Sequence, residues 1–170
     1  MTFEEKIKAV ESFFEKEHIR MEKLKSNNDN LPQIVRYKGV FPIEKGAFKT
    51  LTVVIVLDDR SVQTFVYYPV FAKGHETDMA EFLVRTNYNL RFGDLNMDYE
   101  DGELRYHFSQ SLAMFESEKF QEWFAHQFYL PIGIANHFSY GINAVISNTM
   151  SAEQAFQHCF DENKVQKSNN

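Results

Sequence analysis

Cysteine is all but missing from these 170 residues, with Cys159 the single example. One thiol can neither close an internal disulfide nor build a thiolate cage around a metal. Basic clusters are missing too. Eighteen Lys and Arg stand against 24 Asp and Glu, a formal net charge of −6, and no Lys/Arg run exceeds two residues. A phosphate backbone needs a basic footprint, so the composition argues against nucleic acid as a partner. The opening MTFEEKIKAV mixes acidic and basic residues ahead of any apolar run, unlike a secretory signal, which makes the cytoplasm the expected compartment.

Charge itself is what the segment from Trp123 to Ala152 lacks. Thirty residues pass without Asp, Glu, Lys or Arg, between Glu122 and Glu153. A membrane-spanning helix needs about 20 mainly apolar residues with anchors at its flanks. Here Gln127, Asn136, His137, Ser139 and Asn143 interrupt the run, and no Lys or Arg adjoins it. The expectation is a buried helix of a soluble fold, wrapped by a curved antiparallel sheet, without membrane contact.

What the chain has in excess is aromatic: 17 Phe and 8 Tyr lift the aromatic share to 15%, within an otherwise ordinary single-domain composition. Side chains of that size belong in a core or a binding groove. Thr2 and Glu5 form a capping box that opens a first helix. Phe3, Ile7, Val10, Phe14, Met21 and Leu24 lie on one face of it and place its end near Ser26, before the polar loop closed by Pro32. Three strands follow. Gln33–Phe41 carries Arg36 and Lys38 on its outer face, which suits an edge strand or a solvated sheet face. Phe48–Leu57 ends apolar on both faces, the mark of a strand covered on two sides, and Val62–Phe71 alternates until Pro69.

A short helix starting at Asp78 turns Met79, Phe82, Leu83 and Thr86 inward. Asp101-Gly102 then predicts a two-residue type I′ hairpin, with Glu100 opposite Glu103, Tyr99 opposite Leu104, Asp98 opposite Arg105, Met97 opposite Tyr106 and Leu95 opposite Phe108. Ser117 and Glu118 open the long helix, which Pro131 kinks or splits and in which Gly133 and Gly141 permit close approach. Ser151 and Gln154 cap a short helix through His158, and a polar tail over 161–170 reads as disordered. The elements in this order predict an α+β fold, an antiparallel sheet packed on a long C-terminal helix, in the sequence α-β-β-β-α-β-β-α.

The stretch Asn87-Tyr88-Asn89-Leu90-Arg91-Phe92-Gly93, followed by Asp101-Gly102-Glu103-Leu104-Arg105-Tyr106, resembles the YbjN-like family. Tyr129-Leu130-Pro131 and Met150-Ser151-Ala152-Glu153-Gln154-Ala155 resemble it too, and the element order agrees over most of residues 1–160. The family is described as regulators of bacterial sensory transduction. The resemblance implies one domain over 1–160 with a fold like that of type III secretion chaperones, small α/β proteins that commonly dimerise and bind extended protein segments. It supplies no catalytic residues.

Candidate chemistry is thin. His126 and His137, eleven residues apart on one helix, sit about 16 Å from each other, too far to share a metal. His75-Glu76-Thr77-Asp78 suits a solvated helix start better than a metal site. His158 and Cys159 point about 100° apart on a helix and form no catalytic pair. The acidic turn Glu100–Glu103 has no pocket to raise a carboxyl pKa. Nothing matches a phosphate-binding loop, a nucleophile elbow or HExxH. The expectation is a non-enzymatic protein-binding adaptor without cofactor or metal. It takes a protein segment on Phe65, Tyr67, Tyr68, Phe71, Tyr99, Tyr106 and Phe108, or adds it as a strand at the Gln33–Phe41 edge. Two other readings stand beside it. One is a small-molecule sensor or enzyme with a cavity beneath the long helix near His126, Asn136 and His137. The other is a homodimer joined at the helix of Gly133 and Gly141.

Overall fold

Among the described residues, six strands form one antiparallel sheet in the order β1-β2-β3-β4-β6-β5. They are β1 (Glu22–Leu24), β2 (Val35–Pro42), β3 (Thr50–Leu57), β4 (Ser61–Phe71), β5 (Asp94–Met97) and β6 (Glu103–Ser111). The computed structural model describes residues 2–25, 34–111, 113 and 119–167, with side chains to Asp161. The architecture is α+β, as the sequence predicts: four helices, α1 (Phe3–Lys16), α2 (Glu76–Asn89), α3 (Phe120–Ile146) and α4 (Ala152–Lys167), with α3 packed on the sheet. Among the described residues no helix is long and apolar enough to cross a membrane.

The capping box of α1 is present, with Glu5 N donating to Thr2 Oγ1 at 3.2 Å and Thr2 N to Glu5 Oε2 at 2.7 Å. The helix stops well short of Ser26. His18 takes a φ of 54°, and Ile19 N donates back to Phe14 O at 2.8 Å, closing the helix one turn after Phe13 and Phe14 are buried. Leu24 therefore belongs to a strand, β1, which pairs with Arg36–Lys38 and takes the sheet edge, so the two cations of Gln33–Phe41 mark a solvated sheet face, the second of its two readings. The polar loop before Pro32 and the helix start at Ser117 and Glu118 lie outside the described residues.

The core sits between the sheet's inner face and the helices. Val53, Ile55 and Leu57 of β3, Val62, Val66 and Tyr68 of β4, and Leu104, Tyr106 and Phe108 of β6 are all buried there. Thr52, Val54 and Val56 alternate with these on β3 and are only partly buried. The apolar pattern on both faces is real, but among the described residues just one face is covered.

α2 begins two residues before Asp78 without a side-chain cap, and Met79, Phe82, Leu83 and Thr86 are buried as their spacing predicts. The hairpin differs in register. Met97 faces Leu104 and Leu95 faces Tyr106, so the loop holds four residues rather than two. Asp98 accounts for this: its Oδ1 accepts from Glu100 N at 2.9 Å, starting a turn that Gly102, at a φ of 83°, completes. A slip of two residues keeps the paired side chains on their expected faces, while Tyr99, expected opposite Leu104, falls in the loop.

α3 runs unbroken through Pro131. A proline lacks the N–H that the carbonyl four residues earlier requires. That carbonyl, Gln127 O, instead accepts from Thr64 Oγ1 on β4 at 2.9 Å, and both residues are fully buried. Gln127 Nε2 returns a bond to Thr64 Oγ1 at 3.0 Å. At Gly141 a Cβ would come within 2.5 Å of Phe82 and 2.8 Å of Cys159, so the absent side chain lets α2 and α4 converge on α3. Ser151 and Gln154 cap α4 reciprocally, at 3.0 and 3.3 Å. The helix continues past His158 to Lys167, through the start of the stretch read as a disordered tail.

Candidate binding site on the open sheet face

The register assembles the outer face of the sheet row by row. Lys38 stands opposite Val54, Val54 opposite Phe65, Phe65 opposite His107 and His107 opposite Asp94. The next row runs Val40, Thr52, Tyr67, Arg105, Asn96. Phe65 is the hub. His107 stacks on it with ring centroids 4.7 Å apart, the Arg105 guanidinium stands 5.1 Å from its centroid, and Tyr67 tilts against it at 6.3 Å. A guanidinium over an aromatic ring is held by the ring's quadrupole and keeps its donors free for a carboxylate. Arg36 and Lys38 are exposed on the adjoining strand. The result is a partly buried apolar centre, Val54, Val56, Phe65 and Tyr67, with Arg36, Lys38 and Arg105 beside it and the acids Glu22 and Asp94 at the two ends of its first row.

The seven aromatic candidates divide by strand parity. Phe65 and Tyr67 lie on this face. Phe71 is 54% exposed at the end of β4, and Tyr99 is 67% exposed in the hairpin loop. Tyr68, Tyr106 and Phe108 point inward and belong to the core. Tyr68 Oη donates to Ala135 O on α3 at 2.8 Å, and Tyr106 Oη donates to Phe92 O. Burial pushes both phenols well above the ordinary tyrosine range, so they remain neutral donors. Phe65 and Tyr68, three residues apart on a strand, cannot share a face. That parity, together with Val54 and His107 as the cross-strand neighbours of Phe65, is the signal that identifies the surface.

His107 and Asp94 make the nearest approach to a catalytic pair, with Nδ1 3.4 Å from Asp94 Oδ1. Nε2, the nitrogen a general base presents to its substrate, is sealed from solvent and has no hydrogen-bond partner. The pair props a ring against Phe65. Among the described residues no group of three His, Cys, Asp or Glu is placed to hold a metal.

A second surface lies on the other side of the molecule. An open groove of about 950 Å³ follows α3, lined by Leu90, Glu122, Ala125, His126, Tyr129, Leu130, Gly133, Ile134, His137, Phe138 and Phe160. It contains the two histidines of the sensor reading without closing over a ligand. Asn136 is turned away, its Nδ2 donating to Lys45 O at 2.7 Å. Gly133 is exposed, and nothing stands within 4 Å of where its Cβ would be, although glycine in a helix interior costs about 1 kcal/mol relative to alanine. Gly141, its companion in the sequence reading, is buried and spoken for.

Comparison with known proteins adds no neighbour. The chain matches no protein-family model, no curated protein and no solved structure.

The sheet edges are less available than the face. β1 blocks β2 along Arg36–Lys38, and Met21 Sδ and the Arg20 carbonyl crowd Gly39 just beyond it. Short or blocked edges are how sheets resist strand addition. The face therefore has the stronger claim.

Proposed function

We propose that this chain is a cytoplasmic, non-enzymatic adaptor or chaperone-like regulator of the YbjN-like kind, which holds an extended protein segment across the open sheet face. The observation that carries this reading is the uncovered centre of Phe65, Tyr67, Val54 and Val56 with Arg36, Lys38 and Arg105 around it. An uncovered apolar sheet face is a recognised sign of a binding surface. Its cations select a segment in which apolar residues alternate with Asp or Glu, because such a strand meets the rings and the guanidinium at once. The resemblance over residues 87–106 and 129–155 supports the same class.

Selection of displayed peptides on the immobilised protein tests the proposal. Apolar-acidic sequences should be enriched. Phe65→Glu should weaken their binding by about tenfold or more, and Arg105→Glu should shift the preference away from acidic residues, both with an unchanged far-UV spectrum. If no peptide is selected, or if the selected peptides bind Phe65→Glu as well as the parent, the sheet face is not the site.

A further inference from the structure

The sheet overhangs its own edge at the end of β2. That strand runs eight residues, and β1 pairs with only three of them, Arg36–Lys38. Under the overhang lies a cavity of about 390 Å³ between β2, α3 and the link from α1 to β1. Its wall is apolar, made by Ile19, Phe41, Ile43, Phe128 and Ile132, with Phe41 edge-on to Phe128 at 5.5 Å. None of its lining residues belongs to β3, β4 or β6, the strands that carry Phe65 and its partners. Two side chains here are not explained by packing. Arg20 is exposed and is the one formal charge in the lining, and among the described residues no carboxylate stands within ion-pair distance of it. His18 also lines the cavity, at a φ of 54°, a left-handed conformation that a Cβ disfavours. Helix ends of that kind ordinarily use glycine or asparagine, as Asn148 does after α3. At the end of α1 the position keeps an imidazole next to the arginine.

We propose that this cavity binds a free small-molecule carboxylic acid carried on one bulky apolar stem, branched or aromatic. The stem fills the space against Phe41, Phe128 and Ile132. The carboxylate pairs with Arg20, whose guanidinium fork matches two carboxylate oxygens, and His18 offers a further polar group beside it. Cavities of this size, apolar with a few polar groups that fix orientation, are the ordinary form of a small-ligand site. Charge favours the same occupant. In a chain of net charge −6 an anion needs a local cation, and this lining has one and no acid. Glu17 lies just outside the lining, its Oε2 3.5 Å from the hydroxyl of Tyr129, and opposes the carboxylate from there. A protein chain fits less well. Met21 Sδ and the Arg20 carbonyl would stand 2.6 and 2.9 Å from a Cβ at Gly39, so no extended segment passes beside β2 from that end. At the other end Pro42 has no N–H to pair with one. The assignment does not depend on the segment site of the sheet face.

Isothermal titration of the full chain with isocaproate, phenylbutyrate and the neutral amide of each tests this. At least one acid should bind at a single site with a Kd below about 1 mM. Its amide should bind about tenfold more weakly, because it cannot take the guanidinium as an ion pair. Arg20→Gln, an exposed change that leaves the core alone, should weaken the acid by about tenfold and leave the amide where it was. Glu17→Gln should tighten the acid by about twofold, since it removes the opposing charge. Ile132→Trp fills the cavity and should remove acid and amide binding together, with an unchanged circular dichroism spectrum. Failure of both acids to bind, equal binding of an acid and its amide, or an affinity indifferent to Arg20→Gln would each overturn the proposal. So would tighter binding of a short peptide ending in phenylalanine than of either free acid.

Discussion

Replacing Thr64 with valine keeps the shape of the side chain and removes one hydroxyl from the centre of the core. Two bonds go with it: the donation to Gln127 O at 2.9 Å and the acceptance from Gln127 Nε2 at 3.0 Å. The amide keeps only two long contacts, to Val62 O and Phe108 O at 3.4 Å each. The carbonyl keeps none from its own helix, because residue 131 is proline. A buried acceptor left bare costs about 1–3 kcal/mol, so Thr64→Val should destabilise by about 2–3 kcal/mol once the weakened amide is included.

The decisive variant is Pro131→Ala, which returns an N–H to the helix in reach of Gln127 O. In that background Thr64→Val should cost only about 1 kcal/mol, the carbonyl now having a donor of its own. Urea unfolding of the four proteins closes the cycle. A coupling of about 1 kcal/mol or more is expected, and a value under about 0.5, the range of independent sites, would refute the idea that Thr64 caps the carbonyl Pro131 exposes.

Two further outcomes follow from the packing and from the buried phenols. Gly141→Ala drives a methyl into Phe82 and Cys159 and should destabilise by about 1–3 kcal/mol in thermal unfolding; a neutral effect would mean that α2 and α4 are not held so close. Burial raises the pKa of Tyr68, Tyr106 and Tyr37, and for Tyr37 the bond to Glu11 adds to it. Above the unfolded tyrosine value of about 10 the folded chain then holds more protons than the unfolded one, so stability is complete below that pH and falls as pH rises beyond it. Unfolding and the phenolate absorbance of these residues should appear together in an alkaline titration, and phenolate forming while the far-UV signal stays native would contradict the burial.

How far the residues alone could be read depended on whether the signal was local. Capping boxes at Thr2 and Ser151 are satisfied within four residues, and both are present. The inward set of α2 follows from helical spacing, and it too is buried. The end of α1 was hidden because Met21 and Leu24 continue an apolar spacing that the chain abandons at His18, where one positive φ outweighs two hydrophobic matches. The hairpin loop is longer than Asp101-Gly102 alone implies because Asp98 competes with that dipeptide for the turn. Among the aromatic candidates, strand parity separates Phe65 and Tyr67 from Tyr68, but the partners that make Phe65 a hub come from β3 and β6 and appear only once the strands are paired.

The uncharged stretch divides into two halves that obey different rules. Phe124, Phe128, Ala135, Phe138, Ile142 and Val145 have to be apolar, since they seal the inner face of the sheet. On the outward side Tyr129 still packs edge-on against Phe13 and Phe128 and His137 against Phe138, whereas His126, Gly133 and Tyr140 are exposed. Lysine or glutamate at those positions would have kept the helix and improved solubility, as Glu4, Glu5, Lys8, Glu15 and Lys16 do on α1. A requirement for folding therefore accounts for one side of α3 more fully than for the exposed positions His126, Gly133 and Tyr140. The outer sheet face has the same surplus in Val54, Val56 and Phe65. Charge differs between the two surfaces: Arg36, Lys38 and Arg105 stand on the sheet face with Glu22 and Asp94 at its ends, whereas Glu122 is the charge among the described residues lining the helix groove. In a chain with six more acids than bases, that difference points the two surfaces toward different occupants.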